Sequence, residues 1–145
     1  MRLTIVSLLS LLLVSCASMG SMTLEDLNVA LVDLQREAVA ALPLGKRSQS
    51  QNARTFYSEY FIYSKGEYES GNAQPVRNYA EITILGDRRP YKMEIRVAKE
   101  VRESDGRYVL SNYDEGLTRV ITRRIQNALH KRREDRNIID DFRVF

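Results

Sequence analysis

One cysteine, Cys16, and one histidine, His130, stand in a chain of 145 residues without tryptophan. One cysteine closes no internal disulfide and builds no cysteine-based zinc site, and one histidine excludes every two-histidine metal site. His130 falls on the polar side of a basic segment, where a solvated residue is a simpler reading than a general base. The sequence contains no GxSxG elbow, no GxxxxGK[ST] phosphate loop and no GxGxxG turn. The carboxylates Asp140–Asp141 and Glu134–Asp135 are chain neighbours, and neighbouring side chains point apart in most backbones, so neither pair suits a shared proton or metal. The expectation is no catalytic residue and no metal site. The enzymatic alternative is a carboxylate hydrolase built around residues 64–77.

Charge offers more than titration does. The chain carries 22 Lys and Arg against 19 Asp and Glu, a net charge of +3. The excess is local: no acidic residue lies between Glu115 and Glu134, where Arg119, Arg123, Arg124, Lys131, Arg132 and Arg133 fall together. The simplest account is a solvated helix face whose positive charge complements the C-terminal end of the helix dipole. The functional account is an anionic partner, since the guanidinium fork matches phosphate geometry. Arg88 and Arg89, followed by Pro90 and Tyr91, read as a hairpin tip whose two cations are available to a partner. Six of the twelve aromatic residues lie from Phe56 to Tyr68. Sheet packing explains them most simply, and an exposed interface on a second sheet face is the alternative.

The first residues form an address. Met1 and Arg2 supply a short positive start, and Leu3 to Val14 an apolar stretch. A spanning helix needs roughly 18 such residues, so residues 1–15 read as a cleaved signal peptide. The run Leu13-Val14-Ser15-Cys16 directly after this stretch resembles the lipobox of bacterial lipoproteins. The resemblance implies that Leu13, Val14 and Ser15 direct processing, that cleavage precedes Cys16, and that Cys16 carries acyl chains as the mature amino terminus. No other cofactor is expected. Two or three chains give stable membrane anchoring where one does not. In lipoproteins of two-membrane bacteria, Ala17 rather than aspartate after the cysteine implies the outer membrane, facing the periplasm. Ordinary secretion, with cleavage after Ala17, is the alternative. An exported lipoprotein rarely meets nucleic acid, so the basic segment points instead to anionic lipid, lipopolysaccharide phosphates or an acidic protein.

These residues require a scaffold, and the length allows one domain. Residues 16–22 read as a lipidated tether and residues 23–145 as a single domain. Thr23 is placed to cap a first helix, with Glu25 and Asp26 in its first turn. Leu24, Leu27, Leu31, Leu34, Ala38 and Ala41 form its apolar stripe, and Leu42-Pro43 with Gly45 ends it. Residues 45–53 are expected as a loop, 54–63 as a strand with large rings on both faces, and 64–77 as a long mobile connection. Residues 79–85 and 91–101 alternate strictly about the turn 86–90, which predicts a half-buried hairpin. Residues 107–111 make a fourth strand after the turn Ser104-Asp105-Gly106. Asn112 or Asp114 caps a second helix with Leu117, Val120, Ile121, Ile125 and Ala128 inward, fraying near Arg136. The tail from Ile138 is expected to pack back.

The expected architecture is α+β: a two-layer sandwich of helix, four-stranded antiparallel meander and helix. That arrangement behind a lipid anchor looks like the lipopolysaccharide-assembly lipoproteins of the outer membrane, an architectural likeness without a shared motif. The function expected is a non-enzymatic envelope accessory in assembly, transport or secretion. It is held to the membrane through its lipid and binds an envelope protein. Direct binding of anionic lipid through the second helix is the alternative.

Overall fold

The computed structural model describes residues 20–141, with side chains to Glu134. The signal segment, Cys16, residues 17–19 of the tether and the last four residues lie outside the described residues. The described residues are mixed α+β: two helices and one eight-stranded antiparallel sheet. The expected four strands are thus corrected to eight, and the added ones have two physical origins.

The first origin is the bulge. Residues 21–27 form β1 (Ser21–Leu27) rather than the start of a helix, so Thr23 pairs with Glu94 and caps nothing. Leu24 and Leu27 are three apart, a helical spacing. Here the register slips between them, with Asp26 at φ 55°, and both join the core from a strand. The helix α1 (Leu31–Ala41) begins later, with Ala30 at its N-cap and Leu34, Ala38 and Ala41 inward. A second slip divides the aromatic strand into β3 (Thr55–Ser58) and β4 (Phe61–Ser64). Unbroken alternation would send Phe56 and Phe61 to opposite faces, whereas the break turns both into the core. Ser58 stitches that break. Its buried hydroxyl accepts from the Ala80 amide at 2.8 Å and donates to the Glu59 carbonyl at 2.7 Å.

The second origin is the polar edge strand, which shows no apolar period. β2 (Lys46–Gln49), wholly exposed, replaces the expected loop 45–53 and pairs with β3. β5 (Glu67–Ser70) pairs with β4 across a two-residue turn. Lys65 and Gly66 both have positive φ there, the signature of a tight hairpin. The mobile connection expected over 64–77 is therefore largely a hairpin. Gly71 follows because its α-carbon lies against the Phe61 backbone, 2.9 Å from where a Cβ would stand.

The expected central hairpin is present as β6 (Val76–Leu85) and β7 (Tyr91–Arg102), paired from Val76↔Val101 to Leu85↔Lys92. β7 is the hub. Its first half pairs with β1 and its second half with β8 (Tyr108–Tyr113), so β1 and β8 lie end to end along one edge. β3 and β4 likewise share the other edge of β6. Asp114 caps α2 (Glu115–Asp141): its carboxylate accepts from the Leu117 amide at 2.9 Å. The helix runs past the expected fray at Arg136, since no Gly or Pro interrupts residues 117–141.

One core joins Leu34, Ala38 and Ala41 of α1, Leu117, Ile121 and Ile125 of α2, and one face of the sheet, centred on Ile82, Met93, Ile95 and Val97. Val120, expected inward, is exposed. Among the described residues no helix is long and apolar enough to cross a membrane.

Candidate functional site

Alternation along β6 and β7 sends one set of side chains to the core and the other to the opposite face. On that second face Tyr57, Tyr60 and Tyr79 form a chain of rings. The centroids of Tyr57 and Tyr79 are 6.5 Å apart, and Tyr60 meets Tyr79 edge-on at 6.0 Å. Arginines interleave with them. The Arg77 guanidinium lies 3.5 Å from the Tyr60 centroid and 3.4 Å from that of Tyr108, a stack between two rings. Arg47 covers Tyr60 at 4.2 Å, and Arg96 approaches Tyr113 at 5.5 Å.

The charges on this face are paired across strands. Arg96 holds Glu81 with two hydrogen bonds, at 3.0 and 2.8 Å, and Arg77 donates to Glu100 at 2.8 Å. The hydrogen bond to Glu81 raises the pKa of Arg96 above its ordinary value. Burial, followed by the carboxylates of Glu100 and Glu81, pushes the Tyr79 phenol up. The Tyr108 hydroxyl donates towards the carbonyls of Gln74 and Asn72, tying down the segment before β6. The result is a half-wet mosaic of rings and paired charges that neither described helix covers. The sequence showed half of it: the aromatic run is plain, and Tyr79, Glu81 and Thr83 alternate, whereas Arg77 fell in the expected connection 64–77 and belongs to β6. The contributions of Arg47, Tyr108 and Tyr113 come from strands distant in the chain and leave no local signal.

The basic residues of α2 do not act as one set. Arg132 turns towards α1, where its guanidinium bridges Asp33 and Glu37 (3.0 Å to Glu37). It forms an internal strut between the two helices. Arg124 sits 5.4 Å from the Tyr68 centroid. Arg119, Arg123, Lys131 and Arg133 are exposed, and Arg119 and Arg123, one turn apart, make no ion pair among the described residues. His130 is exposed and lies 3.2 Å from Glu134. Arg133 and His130 border a groove of about 910 Å³ between β1 and α2, with Leu27, Val29 and Leu129 on its floor and Asp26 on its rim.

Arg88 and Arg89 stand exposed at the tip between β6 and β7, as expected. Among the described residues no group of three or more His, Cys, Asp or Glu is placed to hold a metal. No protein-family model, no curated protein and no solved structure matches the chain.

Proposed function

We propose that the chain is a lipid-anchored bacterial envelope protein, held at the outer membrane and facing the periplasm. It serves without catalysis as an accessory in assembly, transport or secretion. Its two-layer domain, helices on one side, presents the open sheet face to a protein partner. The observation that carries this reading is the Leu13-Val14-Ser15-Cys16 box, with a folded domain starting almost at once, at Ser21. Tyrosine and arginine, the residues that line the open face, are those enriched in the buried centres of protein interfaces. Their pre-paired charges and stacked rings lower the ordering cost of binding.

Two measurements in intact cells test it. Fatty-acid labelling should be lost in Cys16→Ser, with release from the membrane fraction; labelling that persists in that variant overturns the anchor. A photo-cross-linker at Tyr57 or Tyr79 should yield one discrete envelope-protein adduct. The same group at Arg36, exposed on α1, should yield none. Adducts from Arg36 alone would overturn the assignment of the sheet face.

A further inference from the structure

The anchor position is constrained by the fold. β1 and β8 meet end to end on the edge of β7, and Gly20 lies at their seam. A Cβ on Gly20 would stand 2.4 Å from that of Tyr113. The Gly20 carbonyl lies 3.2 Å from the hydroxyl of Thr118, a fully buried residue in the first turns of α2. That hydroxyl also accepts from the Val97 amide at 3.1 Å and reaches the Asp114 carbonyl at 2.7 Å. Gly20 is therefore fixed against sheet and helix together. Four chain steps separate it from Cys16, a reach of at most ~14 Å.

The exposed cations nearest this seam along α2 are Arg119, next in sequence to Thr118, and Arg123 one turn on. The helix carries no acidic side chain between Glu115 and Glu134. We propose that the first half of α2 lies against the membrane, with Arg119 and Arg123 on the phosphates of anionic phospholipids in the leaflet that holds the Cys16 acyl chains. The inference rests on the lipid anchor argued above and adds the orientation of the domain and the class of lipid. A connection of four chain steps from Cys16 to the fixed Gly20 confines the helix to the headgroup region. Charge then selects the lipid, because a cation close to an anionic surface favours binding by about fivefold per residue.

The anchor consumes the one cysteine of the mature chain, so a cysteine introduced by Asn127→Cys is the only free thiol. The full lipidated protein, carrying a fluorophore at position 127, is reconstituted in phosphatidylcholine vesicles with or without one quarter phosphatidylglycerol. Both contain a headgroup-attached nitroxide quencher. Quenching should be several-fold stronger with phosphatidylglycerol. It should fall to the phosphatidylcholine level with Arg119→Glu and Arg123→Glu combined, or in molar salt. A label at Gln49→Cys, on the outer strand β2, should show no such dependence. Quenching at position 127 that ignores lipid charge and both substitutions overturns the orientation while leaving the anchor standing. Absence of lipid on Cys16 by mass spectrometry overturns the anchor and the orientation together.

Discussion

Gly20 is the residue at which the fold meets the proposed anchor. Its φ is +89°, a region where a side chain is strained, and the Tyr113 side chain fills the space a Cβ would need. Gly20→Ala should therefore cost about 2 kcal/mol or more, combining backbone strain with overpacking. The midpoint of urea unfolding reads this directly, and an unchanged midpoint would show that the seam is loose. Tyr79 makes a different prediction. Its folded pKa lies above the ordinary 10.0, chiefly through burial and then through Glu100 and Glu81. A raised pKa means that the folded state holds the phenolic proton more tightly. The stabilisation is fully present below pH 10 and is lost as pH rises through the folded value. Stability should decline on the alkaline side of pH 10, and Tyr79→Phe should make that decline shallower in unfolding curves taken at several pH values. Residue types announced such roles only in part. The charge of Arg132 was legible, but its destination was not, because Asp33 and Glu37 are brought to it by the packing of α1 on α2.

Elements show the same division between local pattern and long-range pairing. The central hairpin was legible because ten consecutive pairs between β6 and β7 keep strict alternation, with one face buried. β1 was misread because a bulge gives Leu24 and Leu27 the spacing of a helix. The aromatic strand was misread because its break shifts parity between Phe56 and Phe61. A single extra residue reverses every later side chain on a strand, and nothing in composition records it. β2 and β5 were missed because exposed edge strands have no apolar face to display. The helices meet through the Arg132 bridge, whose three side chains are 14–24% exposed. That burial lies between an exposed pair, worth under about 1 kcal/mol, and a buried one whose breaking costs about 3–5. Arg132→Ala should thus destabilise by about 2 kcal/mol in chemical denaturation. Adding Glu37→Gln should recover part of that loss, because one stranded carboxylate is neutralised. Strictly additive losses would mean that the two side chains do not interact.

For the whole molecule, the proposed anchor makes the decisive quantity how far the domain can move from the lipid. Gly20 is locked to Tyr113 and Thr118, and only three residues separate it from Cys16 in the sequence. A tether this short makes the membrane contact of α2 nearly intramolecular, and a longer one dilutes it. Ten Gly and Ser residues inserted between Ser18 and Met19 would add a coil with an end-to-end distance of about 17 Å, more than the native tether spans when fully extended. The insertion precedes every described residue of the domain, and the unfolding midpoint should not change. Quenching of the position 127 fluorophore by headgroup nitroxide should drop several-fold, and the remainder should depend more steeply on salt, because charge alone would then hold the helix down. Cross-linking from the open sheet face should respond separately. A partner embedded in the same membrane should be captured less well through the long tether, and a partner free in the periplasm equally well. Quenching that is indifferent to the insertion would mean that α2 holds the membrane by its own affinity, with the anchor adding nothing to its orientation.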